Sequence, residues 1–401
     1  MTNQSTTSFF TYRIQIAGLS ATLFDLSSGD DTPDDDSTRS AENVLLSLAS
    51  LKTVDDLIIS LDVLGVPGPL TLYAPFLDKI GEGAQFAVFR GSLLDGSTNC
   101  EFETMVEAVA VKLPLFAIPA ERRLDLTSAK SRRQVHDIYL EIMALRHPAL
   151  RNHRNIVDLI GWGIDHDWHE TPLLVLELAI GDLCSVLAKP DSQITNEITH
   201  QLSIDIGQGL DAIHEVGIVH GDLKPSNVLV FTNPSNSVPF IAKLGDFGLS
   251  TGEVNSSADS SVVISGMSED WCAPEIVLGA TIHSSELIKA DNFSYGLVLL
   301  SANCLGGRPP KCKDLDKVIE IVESHHTVSK TLSDLLSKGL PLLLQSDSTK
   351  RVRSVRTIMN DDSEPSRAWS VQLSSFPKLL STNDDQETRR VRSCFIHSAK
   401  T

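Results

Sequence analysis

One stretch, Ile218-Val-His-Gly-Asp-Leu-Lys-Pro-Ser-Asn-Val-Leu-Val230, limits what this chain can fold into more than any other. Before it, ITHQLSIDIGQGLDAIHEVG (198–217) has the apolar spacing of a long amphipathic helix and ends at Gly217, the usual C-terminal stop. After it comes a short apolar strand, VLVF. The loop between carries a carboxylate, Asp222, then an ammonium two residues on, Lys224, and an amide five residues on, Asn227. Such a set can orient a hydroxyl, neutralise a phosphate and hold a metal ion. Alone, the cluster has only moderate specificity, so the rest of the chain must supply the other parts of a site.

The pattern around it changes along the chain. Residues 1–40 are rich in Ser, Thr and Asp and end in the acidic run DDTPDDD, which reads as a mobile solvated segment. Residues 41–69 form a helical extension, with Val44, Leu45, Leu48, Leu51, Val54, Leu57 and Ile58 at helical spacing until Pro67-Gly68-Pro69 interrupts. From residue 70, strand patterns dominate: LTLYAPFLDKI, QFAVFRGSLL, MVEAVAVKL (105–113), NIVDLIGWGI (155–164) and LLVLELA (173–179). One helical pattern, 131–146, interrupts them. Beyond residue 180 helices dominate, and the nearly all-apolar NFSYGLVLLSANCLGG (292–307) reads as a central buried helix. The fold class expected is therefore α+β, with a small β-rich lobe at 70–179 and a larger helical lobe at 180–360. A polar tail follows at 361–401.

Composition excludes several function classes. Lys+Arg 34 against Asp+Glu 52 gives a net charge of −18, which argues against nucleic acid or an anionic membrane as partner. The six cysteines are scattered without a CxxC pair, so neither a disulfide framework nor a zinc site is expected, and a reducing compartment fits. No apolar run approaches the roughly 18 residues of a membrane span. The expected location is intracellular and cytoplasmic, with the nucleus open.

Further parts flank the loop. Gly81-Glu-Gly83-Ala-Gln-Phe-Ala-Val88 lies between two strand signals, where glycine lets a backbone approach phosphate oxygens; read alone it is as well an ordinary hairpin. Val109-Ala-Val-Lys112 puts an ammonium at the end of a buried strand, where it needs an anion, and Glu141 on the following helix is the natural candidate. Lys243-Leu-Gly-Asp246-Phe-Gly248 ends a second strand with a carboxylate. Asn227 and Asp246 together suit Mg²⁺ held by one or two protein oxygens plus phosphates. In Trp271-Cys-Ala-Pro-Glu275, the glutamate needs a cation, and Arg351 is the expected one.

Taken in order, these motifs resemble a eukaryotic protein kinase domain of the serine/threonine type, from about Leu70 to Met359. The resemblance implies the following roles. Ile80, Gly81, Gly83 and Val88 cover ATP, with Val88 and Ala110 above the adenine and Leu229 below it. Glu177 and Ala179 offer backbone groups to the adenine edge, and Leu176 backs the pocket. Lys112, tethered by Glu141, grips phosphates, while Asn227 and Asp246 hold Mg²⁺. Asp222 accepts the proton of a Ser/Thr hydroxyl on a protein substrate, and Lys224 neutralises the phosphate in transfer. His220, Phe247, Leu145 and Leu159 stack between the lobes, Asp291 anchors the loop, and Ser268 touches Asp222.

Three departures qualify the resemblance. Phe86 replaces the third flap glycine, with Gln85 beside it, implying a stiffer flap. Gly221 replaces the arginine that pairs with a phosphorylated activation loop, so activity is expected to survive alanine at Ser256, Ser257, Ser260 and Ser261 together. Abolished activity in that variant would overturn the point. The Val111–Glu141 connection and 232–239 read as surface insertions. Two rival readings are a kinase-fold scaffold without catalysis, which usually loses one of Lys112, Asp222 or Asp246, and a small-molecule kinase, which generally lacks WCAPE and Lys224. Oligomeric state is not legible.

Overall fold

A computed structural model of the 401-residue chain describes residues 54–70, 72–83, 86–94, 105–115, 129–165, 171–189, 194–233, 238–250, 261–264, 266–324 and 330–359. The expectations for 1–53, for most of the Ser-rich segment 250–265 and for 361–401 fall outside the described residues.

The β-rich lobe is one antiparallel sheet of five strands: β1 (Leu72–Glu82), β2 (Phe86–Leu94), β3 (Met105–Pro114), β4 (Leu159–Asp165) and β5 (Thr171–Glu177), in the order β1-β2-β3-β5-β4. Alternation splits β3 between two faces. Val109, Val111 and Leu113 pack with Leu173 and Val175 on the outer face. Ala110 and Lys112 point the other way, where register places Val88 opposite Lys112 and Leu176 opposite Ala110. That inner face meets helix α2 (Ala129–Arg146), whose Ile138, Ile142 and Leu145 are buried.

Helix α1 (Val54–Val63) precedes the sheet, and its Leu57 and Leu61 are buried in the same apolar cluster as the inner face. Arg146, at the end of α2, donates to the carbonyls of Leu64 and Gly65. Leu70 N–H bonds the Trp162 carbonyl at 2.7 Å, and Trp162 N–H bonds that of Pro67 at 2.9 Å. Residues 54–70 are thus fastened along α2 and β4.

The helical lobe begins with β6 (Gly181–Asp182) and α3 (Leu183–Leu187), capped by the Asp182 carboxylate on Ser185 N–H. Helix α4 (Asn196–Glu215) follows, capped by Thr195. Strands β7 (Val228–Thr232) and β8 (Phe240–Leu244) join β6 in a three-stranded sheet. A short pair, β9 (Ser261–Val263) and β10 (Thr281–His283), leads into α5 (Ser284–Cys304). Helices α6 (Leu315–Ser324), α7 (Lys330–Leu343) and the short α8 (Arg356–Met359) complete the lobe. Phe293, Tyr295, Leu297, Val298, Leu299 and Leu300 of α5 are all buried, as the apolar run implied. The helix starts eight residues before that run because His283 caps Ser285 N–H and its first turns are polar. The strand expected at 155–164 begins at Leu159. Asn155–Val157 instead bond β8, through Leu244 N–H to the Asn155 carbonyl and Val157 N–H to the Leu244 carbonyl. The two-lobed α+β architecture is as expected. Among the described residues no helix is long and apolar enough to cross a membrane.

Candidate active site

The loop after α4 is held from below by one carboxylate. Asp291 on α5 is buried and accepts the backbone N–H groups of His220 at 2.7 Å and Gly221 at 2.9 Å, with His214 Nε2 also at 2.9 Å. Gly221 has φ +77°, and a Cβ there would stand 2.5 Å from the Leu249 carbonyl oxygen. Glycine therefore meets both the backbone conformation and the close approach.

Above this anchor the chemical groups are fixed by one another. Asp222 Oδ2 accepts Lys224 Nζ at 2.6 Å and Asn227 Nδ2 at 3.3 Å; the same Nδ2 donates to the Asp222 carbonyl at 2.8 Å. Lys224 also donates to Ser268 Oγ at 2.9 Å, so Ser268 reaches the aspartate through the lysine. Asp222 Oδ1 is buried and has no partner among the described residues. A buried carboxylate oxygen without a donor is costly unless something else supplies one. A substrate hydroxyl is a donor of the right kind.

On the opposite side, Lys112 Nζ donates to both oxygens of Glu141, at 2.6 and 2.7 Å, and to Asp246 Oδ1 at 3.1 Å. Burial is the largest single influence on the Lys112 pKa and lowers it, but Asp246 and Glu141 together outweigh it and the net shift is upward. Burial pushes the Glu141 carboxyl up against the pull of Lys112. For Asp246, half exposed at φ +63°, the Lys112 ammonium holds the carboxyl below its usual range. Asn227 and Asp246 are brought together, because Gly245 N–H bonds the Asn227 carbonyl at 3.0 Å. An amide oxygen and a half-exposed carboxylate fit Mg²⁺, which takes few protein ligands beside phosphate oxygens.

The other expected residues lie on the inner face of the sheet, at the end of β1, on β7 and at the connection between the lobes. Val88, Ala110 and Leu176 share the inner face with Lys112; Leu229 on β7 approaches Gly245. Ile80, Gly81 and Gly83 lie at the end of β1 and its turn, Ile80 half exposed. Glu177 ends β5 and Ala179 follows it into the connection between lobes; Lys243 Nζ donates to the Glu177 carboxylate at 2.6 Å and to that of Asp158 at 3.5 Å. Between the lobes, the rings of His220 and Phe247 lie 5.1 Å apart, and Leu145 and Leu159 share the buried cluster with Phe247. Glu275 receives two bonds from buried Arg351, at 2.5 and 2.8 Å, as charge balance demanded.

A protein-family model, "Protein kinase domain", matches residues 117–362, more than half of the chain. The chain belongs to the protein kinase family. Among curated relatives, it is 26% identical over 246 residues to megakaryocyte-associated tyrosine-protein kinase of Rattus norvegicus, covering 61% of this chain and 43% of that one. It is 28% identical over 241 residues to serine/threonine-protein kinase unc-51 of Caenorhabditis elegans, covering 58% and 24%. With SNF-related serine/threonine-protein kinase of Homo sapiens it shares 28% over 219 residues, covering 51% and 26%. The chain thus spans less than half the length of each of these relatives.

The kinase match starts after Lys112, so the flap and its lysine rest on motif and geometry. Two contacts beside this site go beyond what the motifs state. Lys243 enters the sequence motif only as the start of the run to Asp246, and its pairing with Glu177 is set by the fold. Phe86, in the place of the third flap glycine, is buried, 4% exposed, with Lys112 Nζ 4.1 Å from its ring centroid. With β2 starting at residue 86, its even spacing from Val88 puts both side chains on the inner face.

Proposed function

We propose that this kinase transfers the γ-phosphate of ATP to serine or threonine hydroxyls of a protein substrate. The observation that carries the reading is the state of Asp222: one oxygen held by Lys224 and Asn227, the other buried and without a donor among the described residues. Such a carboxylate orients a hydroxyl and takes its proton as the oxygen attacks, while Lys224, 2.6 Å away, offsets charge on the phosphate. Asn227 and Asp246 would hold Mg²⁺, which draws charge from the phosphate oxygens when bound. Lys112, positioned by Glu141, would hold the phosphates; Val88, Ala110, Leu176 and Leu229 would enclose the adenine, with Glu177 and Ala179 at its edge and Ile80, Gly81 and Gly83 above. Lys224 and Ser268 support hydroxyls of serine or threonine over tyrosine. We take residues 70–360 as the kinase domain, with 54–69 packed on its back.

The second reading is a scaffold without catalysis, and one observation favours it: every Lys112 hydrogen already has a protein partner. The test is transfer of labelled γ-phosphate to a generic hydroxyl-bearing protein, with the phosphoamino acids then separated. Phosphoserine and phosphothreonine are expected; phosphotyrosine alone, or no transfer with Mg·ATP bound, would sink the proposal.

A further inference from the structure

Lys112 and Phe86 explain each other. An ammonium has three donors and no acceptor. Two of those of Lys112 go to Glu141 and the third to Asp246. What remains is its charge, and the face of the Phe86 ring lies over it at 4.1 Å, a cation–π distance. The lysine side chain is only 8% exposed as a result. Strand alternation puts Phe86, Val88 and Lys112 on one face, and the ring packs in the same apolar cluster as Ala110, Leu174 and Leu176. The turn tightens this arrangement, since Gly83 N–H bonds the Phe86 carbonyl at 2.8 Å.

We infer that Phe86 is an aromatic cover on the phosphate site, and that nucleotide binds only after the ring has swung away from Lys112. The inference rests on reading the cleft as a nucleoside triphosphate site. A phosphate oxygen reaching Lys112 must take the place of the ring and of the Asp246 hydrogen bond. The covered and open forms are then two states of one protein, and the observed affinity is the intrinsic one reduced by the open fraction. A side chain at this position also keeps the backbone farther from the phosphates than glycine would. Removing the ring alone must therefore be separated from restoring a glycine.

The test is titration of the full chain with Mg²⁺ and a fluorescent N-methylanthraniloyl ATP, as wild type and as Phe86→Ala, which removes the ring but keeps a Cβ. The expected result is binding about tenfold tighter in Phe86→Ala, the factor being the inverse of the open fraction. In stopped flow, the wild-type association rate should level off at high nucleotide, where ring opening limits it, and that of the variant should stay linear. If Phe86→Ala fails to fold, Phe86→Leu, which keeps the apolar volume, should still bind more tightly than wild type, and the wild-type saturation is measured regardless. Equal or weaker binding in the variants, with linear wild-type association, overturns the cover and leaves the nucleotide site standing. No binding by either protein overturns both.

Discussion

The two sides of the cleft hold their charged groups in opposite ways. On the helical side, Asp291 fixes the loop backbone, Lys224 and Asn227 fix one oxygen of Asp222, and the other oxygen has no partner among the described residues. On the sheet side, Lys112 has all its hydrogens engaged and its remaining face under Phe86. On the proposed function, the first arrangement offers an unpartnered acceptor to a substrate hydroxyl, and the second must give up a partner to receive a phosphate.

The largest effect should come from the lysine itself. Lys112→Met is expected to lower phosphotransfer by about 10²–10³-fold, the scale for losing one preorganised electrostatic group. It also strands buried Glu141, costing about 3–5 kcal/mol. Adding Glu141→Gln should recover most of that stability in a denaturant titration without recovering activity. Recovery of both would mean the pair is structural only, and the contrast between the two sides would fail.

Next is the anchor on the helical side. Asp291→Ala leaves the buried N–H group of His220 without its acceptor, at about 1–3 kcal/mol, and removes the part-buried Gly221 bond as well. Chemical denaturation should show the loss, and Asp291→Asn should restore part of it. A loss well under 1 kcal/mol would show that the loop is not held from α5.

How far the sequence reached follows the same division. The helical side was legible because its contacts are short-range or charge-balanced. Asp222, Lys224 and Asn227 lie within six residues, and Glu275 demanded a cation that Arg351 supplies. Lys112 and Glu141 were legible for the same reason. Phe86 was not, because the motif named only the missing glycine, and where its ring goes depends on β2 starting at residue 86 and on the β2–β3 register. The pairing of Asn155–Val157 with β8 was hidden too, since an apolar run does not name its partner strand.

The smallest effect tests the joint between the two sides. After α2, His147 Nδ1 accepts Ala149 N–H at 3.3 Å and His153 Nδ1 accepts Asn155 N–H at 3.2 Å. Burial lowers the pKa of both below 6.5; for His153, Arg154 and Lys243 add to it. The unfolded chain therefore binds more protons, and stability present above pH 6.5 falls as pH drops through the folded values. Melting temperature should decline over that window, and less steeply in His147→Asn/His153→Asn. An unchanged slope would show that the two rings do not report on this joint.

Asp222 is the residue on which the proposed transfer turns. Labelled phosphate transfer by wild type and Asp222→Asn, at matched Mg·ATP occupancy, tests it most directly. The expected result is serine and threonine phosphorylation that falls by about 10²-fold or more in the variant, with nucleotide binding retained. Equal transfer by the two proteins would contradict the assignment of the free carboxylate oxygen as the group that receives the substrate hydroxyl.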